Sequence, residues 1–407
     1  MTTFTQRLDA WRTPILRYER HLSAAAMVAG FGIDNLSFGR VDHPGAHIVF
    51  AGYLAVATVS IVLAHGLQAR ADRKHRRALD KGFGQAAPQS AQRPTPNARI
   101  SPAARIAVDD VPPPPRPSRL RVWLPAATQF ALGGLWSGFL VFYSRSAVLA
   151  ASWPFLLLLV GFLIGNEVFR KYHSRFVFTS LLLYFAIYSY AVFVVPVFTR
   201  TIGRLTFLAS GALAVICFLI FVRILAALDR ERFAESRAAL LGGAFAITAA
   251  MNIFYFTGIL PPLPLALSNV GIYHSVKHEG AVYIAAGEPE PWLATLGLQQ
   301  PVVHVAAGQP LSLYSAVFAP IRMQTRVTHR WQKWSPADRH WHTLSTVGFN
   351  ISGGRDGGYR AYSIKSNPGP GEWRVQINSD DGRLIGRLAF TVAAVSSPVA
   401  TVTKTLQ

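Results

Sequence analysis

Apolar runs of about twenty residues, broken by short polar stretches, set the pattern of the chain as far as residue 260. They fall at 22–38, 46–66, 123–143, 147–168, 176–198, 205–225 and 238–260, each near the roughly 20 residues that cross a bilayer core as a helix. The pattern predicts a membrane all-α bundle of about seven transmembrane helices. The first run is the shortest and contains Asp34 and Asn35. Beyond Pro261, Pro262 and Pro264 the period changes. Trp373, Val375 and Ile377 alternate with Arg374 and Gln376, and Leu388, Phe390 and Val392 follow the same two-residue rhythm. Short alternating segments at 281–286, 302–306, 311–318, 325–334, 340–346, 359–365, 372–378 and 383–392, with turn signals such as Asp380-Asp381-Gly382, predict an all-β immunoglobulin-like sandwich over 270–395. Residues 396–407 read as a flexible tail.

Composition supports the membrane reading. Hydrophobic residues make up 51% of the 407 and charged residues only 15%, where globular domains carry roughly 25% charge. The net charge of +20 lies mostly in a few loops, which argues for membrane orientation and against a nucleic-acid partner. Arg7, Arg12, Arg17 and Arg20 precede the first run; Arg70, Arg73, Lys74, Arg76, Arg77 and Lys81 follow the second; Arg170, Lys171 and Arg175 follow the fourth. The opposite loops hold only Arg40, Arg145, Arg200 and Arg204. By the positive-inside rule the N-terminus is cytoplasmic and the sandwich lies across a bacterial inner membrane from it. The chain divides into a tail and two helices (1–66), a basic then Pro-rich disordered linker (67–121), five helices (122–262) and the sandwich. The basic start of the linker reads as a helix lying against anionic headgroups. Cys217 stands alone, so neither an intrachain disulfide nor a cysteine metal site is expected.

Several stretches resemble a known family. His329-Arg330-Trp331, then Gly358, Arg360, Tyr362 and Ser363, then Gly371-Glu372-Trp373-Arg374-Val375, Asp381-Gly382-Arg383-Leu384-Ile385-Gly386 and Phe390-Thr391-Val392 look like the domain-of-unknown-function family numbered 2914. Gln129 to Ser146, Asn166-Glu167 and the segment from Asp34 to Asp42 resemble the membrane region that accompanies this domain in bacterial proteins. Tyr359-Arg360-Ala361-Tyr362 departs from the pattern, which sets a Trp beside the Arg. The resemblance implies an inner-membrane protein with a small sandwich and brings no catalytic residue with it.

Candidate chemistry is sparse. Asp34 is an ionisable group in a span, with Arg40, Asp42 and His43 close enough in sequence to bond it at a helix end. Glu167 stands one turn from Arg170 and Lys171, which predicts an interfacial ion pair. Asn252 is a lone amide of the kind that holds helices together. Gly134 and Gly138, and Gly161 and Gly165, are small-xxx-small pairs that predict close packing of the third and fourth helices on each other. Tyr184, Tyr188 and Tyr190 read as packing or as a cavity lining. In the hairpin around Ser335-Pro336-Ala337-Asp338, pairing Trp334 with Arg339 brings His329, Trp331, Lys333, His340 and His342 to one face. There three imidazoles would converge on a metal or anionic ligand, although Trp331 in the core with the histidines along its edge is the simpler arrangement. Arg330, Gln332, Trp334, Arg339 and Trp341 take the other face. No phosphate-binding loop, zinc-protease or nucleophile-elbow motif occurs, and no cofactor or metal is expected. The leading expectation is a non-enzymatic membrane protein, in contact with the lipid bilayer, whose outer domain binds an envelope protein or glycan. A transporter using Asp34 and Asn252, and a membrane enzyme acting on lipid-linked substrates, are the rivals.

Overall fold

In the computed structural model the described residues are 44–85, 119–146, 149–168, 176–262, 264–280, 282–289, 300–320, 323–354 and 357–406. The expected first helix with Asp34, and the Pro-rich part of the linker, lie outside them. Among the described residues six helices form: α1 (Pro44–Gln85), α2 (Arg119–Ser146), α3 (Leu149–Val168), α4 (Phe176–Thr199), α5 (Arg204–Leu228) and α6 (Arg230–Phe256). All except α3 are long and apolar enough to cross a membrane; α3 carries a shorter apolar stretch, Ala151–Ile164. Of the seven helices expected, six form within the described residues. At a rise of about 1.5 Å per residue, α1 is roughly 60 Å long, twice a bilayer core. Its second half is the basic stretch, and it is tied back to the bundle. Arg73 Nη1 donates to the Leu228 carbonyl at 3.0 Å, and Arg76 Nη1 to Glu231 at 2.6 Å.

Aromatic rings fill the bundle core. Phe50 of α1 stacks on Phe139 of α2 and meets Phe193 of α4 edge-on, with centroids 5.5 Å apart in both pairs. The glycines of α2 serve this contact. A Cβ on Gly134 would fall 2.6 Å from the Tyr53 ring, and one on Gly138 would fall 2.3 Å from Phe50. Both glycines therefore face α1, and a Cβ on Gly161 of α3 would meet nothing within 4 Å. α2 and α3 do pack on each other as expected, with Tyr143 and Phe155 4.7 Å apart between ring centres, but the glycines of α2 are not what brings them together: bulky rings of α1 need that space.

The C-terminal half is β-sheet. A three-stranded sheet has the order β1 (Ala266–Tyr273), β5 (Leu311–Phe318), β8 (Tyr359–Lys365). A five-stranded sheet runs β4 (Val302–Ala306), β10 (Leu384–Val395), β9 (Gly371–Ser379), β6 (Gln324–Ser335), β7 (His340–Ser352), with β4 parallel to β10. These two sheets face each other across one core, in which Leu311, Leu313 and Val317 meet Val327, Trp331, Trp373, Val375, Ile377, Phe390 and Val392. The alternation along β6, β9 and β10 predicted this layer. A third sheet was not expected. It has the order β11 (Val402–Leu406), β3 (Val282–Gly287), β2 (Ser275–Glu279) and packs on Tyr314 and Ala316 of β5. Covered on both faces, β5 is buried throughout, as its near-continuous apolar run suits. The 396–407 segment read as a flexible tail carries β11, whose Thr403 and Thr405 lie opposite Ala286 and Ile284 of β3. Its backbone satisfies an edge that β3 would otherwise leave open.

The sheets are fastened to the helices by the β9–β10 turn. Gly382 adopts φ +83°, which lets the Asp380–Arg383 turn close tightly. The Arg383 guanidinium then donates to the carbonyls of Leu260 and Pro261, the latter at 2.7 Å, just beyond α6. It also lies 4.4 Å from the ring centre of Tyr255. Tyr255 donates its hydroxyl to Asp381 Oδ2 at 3.1 Å, and Asp381 in turn accepts from Ser379.

Candidate functional site

The β6–β7 hairpin decides where the histidines go. Ser335 lies opposite His340, Trp334 opposite Trp341 and Lys333 opposite His342. The partner of Trp334 is therefore Trp341 and not Arg339, which moves the centre of the turn one residue along the chain. A bulge then intervenes: Gln332 lies opposite Thr343, but Trp331 lies opposite Ser345 and His329 opposite Val347. Along the ladder His329 and His342 end up about 13 Å apart at a strand rise of roughly 3.3 Å per residue. His329 is wholly buried. One ring nitrogen lies 2.8 Å from Ser315 Oγ on β5 and the other 2.9 Å from Ser363 Oγ on β8, while Trp331 Nε1 donates to Ser363 at 3.0 Å. One arrangement that satisfies them all has Nε2–H donating to Ser315 and the Ser363 hydroxyl donating to Nδ1. Burial lowers the His329 pKa to about 4, so the imidazole is a neutral tie between facing sheets. His340 and His342 are exposed at the hairpin's end, His342 paired with Asp338 at 2.6 Å. The structure thus joins His329 with Trp331 and separates both from His340 and His342. Among the described residues, no group of three His, Cys, Asp or Glu is placed to hold a metal.

Chemistry gathers instead on the opposite face of the same strands. Trp331 of β6 and Trp373 and Val375 of β9 point into the core, so Arg330, Gln332, Trp334, Arg374 and Gln376 point outward. Trp334 and Trp341 form a half-buried pair with ring centroids 5.4 Å apart. The Arg374 guanidinium sits 4.3 Å from the Trp341 ring centre. Its Nε donates to Gln332 Oε1 at 2.7 Å, and Gln332 Nε2 donates to Thr343 Oγ1 at 3.0 Å. This chain of bonds fixes an Arg–Trp platform across β9, β6 and β7. The register sets Arg330, Gln376 and Arg387 in one row across β6, β9 and β10, with both arginines exposed. Glu372 stands two residues before Arg374 on the same side. The sequence had already grouped Arg330, Gln332, Trp334 and Trp341. It did not bring in Arg374 and Arg387, because only strand order places β9 beside β6 and β10 beyond β9.

A second cluster was missed altogether. Glu288, just after β3, accepts from the backbone N–H of His304 at 2.6 Å, lies 2.7 Å from His304 Nδ1 and is 3.0 Å from His274 Nε2. Burial pushes the Glu288 pKa up, but the hydrogen bonds from His304 and His274 outweigh it and hold the carboxyl below its ordinary value. The three residues join β4 to the start of the third sheet. Only His304, a polar residue within Val302–Ala306, gives any sequence signal.

In the bundle, Asn252 Nδ2 donates to the Thr248 carbonyl at 2.8 Å and to the Tyr188 hydroxyl at 3.4 Å. Tyr184 and Thr248 share a hydrogen bond of 2.6 Å. These groups join α4 to α6, the gluing role expected of a lone intramembrane amide.

Comparison with known proteins adds the following. Residues 324–392, from β6 into β10, match the family described as Protein of unknown function (DUF2914). No curated protein matches the chain. Among solved structures, an immunoglobulin-like protein from Pseudomonas aeruginosa is 19% identical, covering 29% of this chain and 97% of its own, with a TM-score of 0.16. An alkylpurine DNA glycosylase from Pseudomonas fluorescens, bound to DNA containing an abasic-site analogue, is 10% identical, covering 71% of this chain and 85% of its own, with a TM-score of 0.17. At such TM-scores neither likeness bears on function.

Proposed function

We propose that this chain is a multi-pass bacterial inner-membrane protein whose helices anchor an outer β domain, and that this domain binds an envelope ligand or partner. Seven crossings, with the first from 22 to 38, place residues beyond 262 outside the cytoplasm, as the clustering of Arg and Lys in alternate loops favours. The observation that carries the binding reading is the Trp334–Trp341 pair with Arg374 laid against it. Large aromatic rings and arginine are the side chains that dominate recognition surfaces. Here they are fixed on a rigid sheet rather than on a loop. The buried His329–Ser315–Ser363 tie and the Arg383 junction hold that sheet in place relative to the helices.

Oxidative footprinting tests this reading whatever the ligand is. Trp334 and Trp341 should label more slowly in intact envelopes than in protein purified in mild detergent, while the buried Trp331 and Trp373 stay equally protected in both. Equal labelling of Trp334 and Trp341 in the two preparations would overturn it.

A further inference from the structure

We infer that the outer face of the five-stranded sheet holds an anion subsite, formed by Arg374, which lies against the Trp334–Trp341 pair, and its diagonal neighbour Arg387, that takes a glycan bearing carboxylate or phosphate groups. The inference rests on the binding reading above and names its ligand. Arg374 uses Nε on Gln332 and its flat face on Trp341. Its two terminal amino groups make no hydrogen bond among the described residues. Arg387 lies opposite Gln376, and Arg374 opposite Ala389, so the two arginines are diagonal neighbours on adjacent strands, a spacing of about 7 Å. Arg387 lowers the Arg374 pKa, adding to the larger effect of burial, which marks two like charges within reach of each other. Exposed Arg330 adds a third on the row of Gln376 and Arg387. Among the described residues, Glu372 forms no ion pair with any of them. Three guanidiniums held on a rigid face, none of them in an ion pair among the described residues, repel one another, and an anion bridging the forked donors of two arginines removes that repulsion.

The rest of the face selects the kind of anion. Gln376, Thr343, Thr346 and Thr391 offer neutral amides and hydroxyls around the arginines, which suit a chain of sugar hydroxyls. The tryptophan pair offers apolar area for a sugar ring. An extended acidic peptide would instead pair with a strand edge, where main-chain groups are available; the arginines lie on the face, away from that edge.

The test uses the full chain in nanodiscs of zwitterionic lipid, titrated calorimetrically with oligogalacturonate, a phosphorylated oligomannoside, neutral maltohexaose and polyglutamate. Binding of either acidic glycan, with none of the neutral glycan or the polypeptide, is expected, and the two acidic arms separate carboxylate from phosphate as the preferred group. Arg374→Gln and Arg387→Gln should each weaken binding roughly tenfold, the loss of one charge-assisted contact. Trp341→Ala should weaken it also, and Lys277→Gln, on the third sheet, should leave it unchanged. Polyglutamate bound as tightly as the glycans, or acidic-glycan binding indifferent to both arginine variants, overturns the subsite. If Trp334 and Trp341 are shielded in envelopes but no acidic glycan binds, this inference fails while the binding reading stands.

Discussion

His329 has a polar ring buried between two sheets, with a serine on each of its nitrogens. Its pKa of about 4 when folded, against an ordinary value of 6.5, gives stability a definite pH dependence. A depressed folded pKa means that the contribution is complete above pH 6.5 and is lost as pH falls towards 4, because the unfolded chain takes up the proton first. The difference corresponds to roughly 3 kcal/mol across that window. Denaturant midpoints of the full chain in mild detergent should therefore fall between pH 7 and pH 4.5 more steeply in wild type than in His329→Gln. Parallel pH profiles would show that the ring is not neutral when folded. Trp331→Ala should cost about 3–5 kcal/mol at any pH, because it empties the middle of the sheet core.

At the scale of elements, two contacts depend on fit. Gly138 lets Phe50 of α1 approach α2, so Gly138→Val should destabilise the helical half by about 1–3 kcal/mol through overpacking. Gly161→Val, in open space, should be neutral by the same thermal-shift measurement. The second contact is β11. Leu406 is 2% exposed within the third sheet's own apolar cluster, and Val402–Leu406 covers the edge of β3. Removing residues 399–407 should speed amide exchange in Tyr283–Gly287 while the β6–β9 ladder stays protected. Unchanged exchange in β3 would mean that the strand adds nothing.

For the whole molecule, the junction and the orientation can each be checked. Arg383 caps the carbonyls of Leu260 and Pro261 and lies on Tyr255, so Arg383→Ala should free the connection between α6 and β1. The expected result is faster proteolysis within residues 257–265 with the sheet core still resistant; an unaltered cleavage rate would show that other contacts suffice. This junction also gives the Asp381-Gly382-Arg383 motif a structural role, docking the sheets on the bundle. The loop charges predict cytoplasmic reporter activity from fusions after Ser90 and Arg232, and exported activity after Gly280 and Gln407. An exported signal from Ser90 would reverse the orientation.

Periodicity in the sequence located the described helices and most of the strands, but not β1, β2 or β11. Apolar runs of helix length marked all six described helices, and two-residue alternation marked β6, β9 and β10, because each pattern reports how one segment meets its surroundings. Trp331 in the core was legible for the same reason. The face carrying Arg330, Gln332, Trp334 and Trp341 was legible too, since alternation within one hairpin defines it. The rest depends on pairings between distant segments. A bulge and a turn centred one residue further along separated His329 from His340 and His342, and strand order brought Arg374 to the tryptophans and Arg387 to Arg374. Glu288 met His274 and His304 only when the third sheet folded over β5, and Gly138 faced Phe50 only through the choice of helix neighbours. Such choices are set by the shapes of surfaces far apart in the chain, and local pattern carries no record of them.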